Sequence, residues 1–283
     1  LRKVANIPTL IYDTHRDTAI AILSKLESEL QNYDMPYELS SVYSALKKLH
    51  VNSPKYYEYT QLYNKHLAYT IALDKAEDLL NTFMRTTGDY YTSRTKSQVD
   101  YLSLIKQEMA HICNLYESHH LQVYKAIVDV TFALYIPNSD ALKDDEPVED
   151  VLAKMEKIFT TYNKDTNYQH LQLVFNNLAF EYYHKLNLPK KEARYFDEVD
   201  KKLTSFLLFN HCCFTTKFLI SKIERYVELG IEGELYEQNQ KLLPNYEPDK
   251  NDIPNYINFS KYMATSAFYA KKYQEAVQIL NNL

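Results

Sequence analysis

Three glycines in 283 residues is the feature that most narrows what this chain can become. Barrels, sandwiches and nucleotide-binding α/β folds place glycine at tight turns and phosphate loops, where left-handed backbone or close approach is required. Three glycines cannot supply them. Proline is also sparse, at 9 residues, so long stretches run without a helix breaker. The apolar share of 46% and charged share of 24% are those of a globular chain that buries a core. An all-α fold with short connections remains.

The formal charge of −5 argues against a nucleic-acid binder. The densest basic stretch, 190–202, interleaves Glu192, Asp197, Glu198 and Asp200, which reads as a solvated helix face. Three cysteines make no disulfide framework and suit a reducing compartment. No apolar run approaches the roughly 18 residues that span a bilayer. The first residues, Leu1-Arg2-Lys3-Val4-Ala5-Asn6, hold neither an initiator Met nor a signal-peptide core. A processed or excised chain of cytoplasmic location is the expectation.

A first helix is expected from Thr14, where Thr14-x-x-Asp17 has capping-box spacing, with Ile20, Leu23, Leu26 and Leu30 inward. A turn at 33–36 leads to a short helix burying Leu39, Val42, Tyr43, Leu46 and Leu49. Ser53 and Pro54 open the next helix, whose stripe runs through His66, Leu73, Leu80 and Phe83 until Gly88 ends it. Over 97–135 the series Val99, Leu102, Ile105, Met109, Ile112, Tyr116, His119, Val123, Ile127, Val130, Leu134 keeps three- and four-residue spacing. That pattern predicts one long helix with a kink near Ser118, so that 53–135 forms a long helical hairpin; ordinary helices broken within each run are the alternative. Pro137 and the acidic stretch 140–146 close this N-terminal region, 1–136, and lack calcium-loop spacing. Pro147 opens the following helix.

From Asn167 the texture becomes helix pairs: 168–186 with 189–208, 210–229 (stopped by Gly230) with 233–243, and 254–270 with 273–283 after a Pro-rich loop (Pro244, Pro248, Pro254). The pairs begin about forty residues apart, a repeat-protein spacing. The expected architecture is antiparallel pairs stacked as an α-solenoid over 147–283, preceded by the long hairpin and continuous with it.

Met263-Ala264-x-x-Ala267, then Lys272-Tyr273-x-x-Ala276 and Leu280, resembles the tetratricopeptide repeat. Asn177-Leu178-Ala179-x-x-Tyr182 followed by Ala193 resembles a second, degenerate copy with extra residues at 187–189. The middle pair departs from the pattern at Ile223 and Tyr226. The resemblance covers about the last 115 residues. The forty-residue spacing is also similar to the tetratricopeptide-like sensor domains of bacterial peptide-responsive regulators, although no helix-turn-helix segment accompanies it here. The family implies a concave groove that binds peptides or protein segments. It would be lined in the first pair by Asn176, Asn177, Phe180 and Tyr183, in the middle pair by Lys217, and in the third by Asn258, Lys261, Tyr262, Thr265 and Tyr269. Asparagine can pair with an extended backbone, lysine with a carboxylate, and tyrosine gives rigid contact area. The plainer alternative is that these are ordinary exposed polar residues.

Three Glu-x-x-His pairs, Glu108/His111, Glu117/His120 and Glu181/His184, have the spacing of di-iron bundles. Nothing marks the further carboxylates such a centre needs, Glu58 and Glu77 being only conceivable donors. His211-Cys212-Cys213 lacks a CxxC partner, and Cys113 reads as core. His66, His111 and His119 read as half-buried stripe histidines rather than a pH switch. No Gly-rich phosphate loop, GxSxG or HExxH occurs. The expectation is a non-catalytic binder of a protein or peptide, with no cofactor, metal, nucleic acid or membrane. A regulatory module of a larger signalling or transcription protein is second, and a carboxylate/His metal enzyme third. Ile279 and Leu283 are expected on an open C-terminal side, covered by further repeats or by a second copy, with Ala276, Val277 and Leu280 facing the preceding helix.

Overall fold

The computed structural model describes residues 2–136, 146–163, 166–208, 215–242 and 246–283. Among them the chain is all-helical, with fifteen helices, one 3-10 turn and no strand. No described helix is long and apolar enough to cross a membrane. Outside the described residues lie Pro137, most of the acidic stretch, the expected helix start at Asn210, the His211-Cys212-Cys213 run, Leu243 and Pro244.

The helices are α1 (Arg2–Ala5), α2 (Ile7–Asp13), α3 (Arg16–Asn32), α4 (Pro36–Leu49), α5 (Lys55–Ser93), α6 (Lys96–Leu115), α7 (His119–Tyr135), α8 (Val148–Thr161), α9 (Thr166–Lys185), α10 (Pro189–Asp200), α11 (Leu203–Leu207), α12 (Thr215–Leu229), α13 (Leu235–Leu242), α14 (Ile253–Tyr269) and α15 (Tyr273–Asn281), with the 3-10 turn at Glu232–Glu234. They pack as two units, Leu1–Leu80 with Gln107–Lys125, and Asn81–Lys106 with Ala126–Leu283. Helices α5, α6 and α7 each contribute to both.

In the first unit α3 and α4 form a pair. Leu23, Leu26 and Leu30 pack with Leu39, Val42, Tyr43 and Leu46, joined by Ile7 and Tyr59. The capping box expected at Thr14 does not form. Thr14 is an extended linker after α2, whose start is favoured by the proline in its first turn, and His15 precedes α3 without a side-chain cap. Arg16 instead donates to the carbonyl of Leu49 at 2.7 Å, satisfying the end of α4.

Two expectations for the long helices are corrected. Gly88 does not end α5, which continues to Ser93 and stops at Arg94, whose φ is 51°. Packing carries the helix through the glycine: in the second unit Phe83 meets Phe132, and Tyr91 meets Tyr135 edge-on. Nor is 97–135 one helix, since the chain reverses at 116–118. The Cys113 thiol donates to the Leu121 carbonyl in the first unit, and Lys106 pairs with Asp129 in the second, so α7 runs back along α6. Ser118 causes the stop and restart, because its hydroxyl accepts from the Leu121 N–H at 3.2 Å and caps α7.

In the second unit α9 packs with α8, α10 and α11, α12 with α14, and α14 with α13 and α15. The single helix expected over 189–208 breaks at Lys201–Lys202. The change of direction turns Leu203, Phe206 and Leu207 into the core, where Phe206 meets Phe218.

One joint recurs. After α3, α9, α12 and α14 the chain passes through a left-handed residue: Asp34 (φ 51°), Asn187 (52°), Gly230 (70°) and Lys271 (60°). The next N–H reaches back five positions each time: Met35 to Leu30, Leu188 to Tyr183, Ile231 to Tyr226, Lys272 to Ala267. This is the Schellman helix end. Equivalent residues on either side are buried, Leu30, Tyr183, Tyr226 and Ala267 before the joint and Leu39, Glu192, Leu235 and Ala276 after it. The pattern weakens only at the last helix. Ala276 alone is buried there, while Val277 and Leu280, expected toward α14, are 56% and 50% exposed.

Candidate functional site

Four of the residues expected to line a groove are interior, and that expectation is corrected. Phe180 sits in an aromatic cluster with Phe196 and Phe218. Tyr183 stacks on Tyr195 with ring centres 5.6 Å apart, under the Lys191 ammonium. Asn177 is buried and its amide donates to Glu181, while the fully buried Tyr262 donates its hydroxyl to Asn239 at 2.5 Å. The physical reason is coverage: α9 is flanked by α8, α10 and α11, and α14 by α12, α13 and α15. Asn176, Asn258, Thr265 and Tyr269 are half-buried, and Lys261 is exposed.

Lys217 is engaged rather than open. Its ammonium lies 2.8 Å from Glu181 and 4.7 Å over the Tyr135 ring, and the Tyr135 hydroxyl donates to the same carboxylate. Lys185 reaches the Leu134 carbonyl beside them. Its pKa is pushed down, by burial first and then by the Lys217 charge, against the pull of Glu181.

The Glu-x-x-His pairs do not assemble a di-iron site among the described residues. Glu108 pairs with Lys75, Glu181 with Lys217, and His184 with Glu192 at 3.3 Å. Glu117 is exposed.

His120 belongs to a different group, which sequence reasoning missed. Asp34, His119 and His120, all in the first unit, offer a carboxylate oxygen and two ring nitrogens within 4.8 Å of one another. Asp34 is aimed by the left-handed turn between α3 and α4. The histidines are the first two residues of α7, with ring centres 4.6 Å apart, and His120 Nδ1 lies 3.6 Å from Asp34 Oδ2. Ser118 donates to Oδ2 at 2.6 Å, and the Tyr69 hydroxyl from α5 reaches both oxygens at 2.7 and 2.8 Å. Tyr69 is itself held flat against Tyr116, at 5.1 Å. Burial acts to raise the Asp34 pKa, but hydrogen bonds from His120, Ser118 and Tyr69, with the His119 charge, hold it below the usual carboxylate value. Burial, together with the adjoining carboxylate, drives the Tyr69 hydroxyl far up, so it stays a donor.

The lowered Asp34 pKa fixes the sign of a pH effect. Its contribution is complete above the unfolded value, about 3.9, and is lost as pH falls through the folded one. Asp34→Asn, which tolerates the left-handed backbone, should remove about 2 kcal/mol at neutral pH and flatten the acid limb of the melting profile. Thermal melts of both chains from neutral pH to pH 3 check this; parallel acid limbs would show that Asp34 is not the group titrating.

Comparison of the chain with protein-family models, with curated proteins and with solved structures finds no match.

Proposed function

We propose that the protein is a non-catalytic helical-repeat scaffold of tetratricopeptide-like character that holds a protein or peptide segment. The observation that supports this most is the recurring helix-turn-helix joint with its matching buried positions at Asp34, Asn187, Gly230 and Lys271. Such units bury a shared core and leave one helix face free for a partner. With Asn177, Phe180, Tyr183 and Tyr262 inside, the surface left to do this is a stripe along α14: Asn258, Lys261, Thr265 and Tyr269 recur at helical spacing, and none is fully buried. The stripe offers an amide for backbone pairing, an ammonium for a carboxylate and a tyrosine for contact area.

The test is peptide selection from a displayed random library, followed by affinity measurement on the winner. Lys261→Glu and Asn258→Ala should each weaken binding about tenfold, the scale of one lost 1.4 kcal/mol contact, with the melting temperature unchanged. A selected peptide indifferent to both substitutions would place binding elsewhere.

A further inference from the structure

We propose that Asp34, His119 and His120 form a binding site for a divalent transition-metal ion of the zinc class. Two imidazole nitrogens and one carboxylate oxygen are the donor set that zinc and its neighbours take when one or more positions stay open. The spacing is close to what binding needs. Tetrahedral ligation with bonds of about 2.0–2.1 Å puts ligand atoms about 3.4 Å apart. Asp34 Oδ2 and His120 Nδ1 already stand at 3.6 Å, and the whole set lies within 4.8 Å.

The surroundings match a ligand carboxylate whose orientation is fixed by outer hydrogen bonds. An ionised carboxylate has about four acceptor positions, and Tyr69 and Ser118 donate to it from two other segments. Outer hydrogen bonds of this kind hold metal ligands in place and tune their basicity. The competing account is a simple ion pair between Asp34 and a protonated His120. Both rings, 4.6 Å apart, lie beside that carboxylate, and the two accounts part on what added zinc does. Two imidazolium ions so placed repel each other; two neutral imidazoles can share one dication.

The ion would tie the joint between α3 and α4 to the start of α7 across the first unit. Loading would therefore stabilise the folded chain by mass action, since the unfolded chain has no preformed site. Activity plays no part in the test.

The tag-free full chain is stripped with chelator and titrated with zinc by calorimetry, while Co2+ is followed by its visible absorption. The expected result is one ion per chain, a melting temperature that rises with zinc, and a cobalt spectrum of low-coordinate nitrogen and oxygen ligation. Asp34→Asn, His119→Gln and His120→Gln should each weaken zinc binding by more than about tenfold, and His111→Gln, an exposed histidine outside the group, should not. Should a histidine variant fail to fold, Asp34→Asn and the wild-type cobalt spectrum decide. Absence of stoichiometric zinc in the wild type, or equal affinity in Asp34→Asn, overturns the proposal.

Discussion

Asp200→Ala is expected to destabilise the protein by about 3–5 kcal/mol, the cost of leaving a buried charge without its partner. The charge is Lys222, whose side chain is 1% exposed on α12 and reaches Asp200 Oδ1 at 2.5 Å. Gln238 lies at 3.3 Å and the Tyr226 ring at 4.9 Å, neither able to neutralise an ammonium. The Tyr226 hydroxyl completes the group, donating to Gln238 at 2.9 Å, and is pushed up to about 12 by burial and the Asp200 charge. Lys222→Met should cost less than half as much, because the stranded Asp200 is 20% exposed and can hydrate. Chemical denaturation of the two variants gives the comparison. The reverse order, with Lys222→Met the more damaging, would show that the lysine stem rather than its charge matters.

Leu102→Pro should prevent the second unit from folding. Leu102 is fully buried near the middle of α6. Proline there removes a hydrogen bond and clashes with the preceding turn, about 3 kcal/mol or more. Losing the leucine side chain adds roughly 2–5 kcal/mol. The sum reaches the whole stability of an ordinary domain, about 5–15 kcal/mol. Far-UV circular dichroism and melting read the outcome; a proline accepted with unchanged melting is incompatible with α6 as described.

Some helix starts were legible from proline, although Pro8 in the first turn of α2 was not read and Pro36 was read as part of a turn. Pro36, Pro147 and Pro189 each stand at or beside the start of a helix, and Gly230 ends α12 in left-handed backbone. The same logic failed at Gly88, because a glycine inside a helix costs only about 1 kcal/mol and the aromatic contacts beyond it outweigh that. The three-four pattern over 97–135 was real but ambiguous. Two amphipathic helices folded back on each other carry the same spacing as one long helix, and only the capping Ser118 distinguishes them.

The site was less legible for a different reason. Inside and outside on α9 and α14 were assigned from a family's geometry, which set Phe180, Tyr183 and Tyr262 outward. Their own chemistry, large aromatic surface with at most one hydroxyl to satisfy, favours the interior they occupy. Asp34 had no local signal. It meets Ser118 across 84 residues of sequence, and His119 and His120 join it from the start of α7.

The recurring joint also bears on how the chain reaches its native state. At three of its four occurrences, α3 with α4, α9 with α10 and α14 with α15, the joint packs a helix against the neighbour that follows it directly. Closing such short loops takes on the order of 10–100 ns, and low contact order goes with fast folding. Synthesis supplies residues far more slowly, at about 5–20 per second. Each hairpin therefore has time to form before the next emerges from the ribosome, and the left-handed residue at its bend acts as the local instruction to turn back.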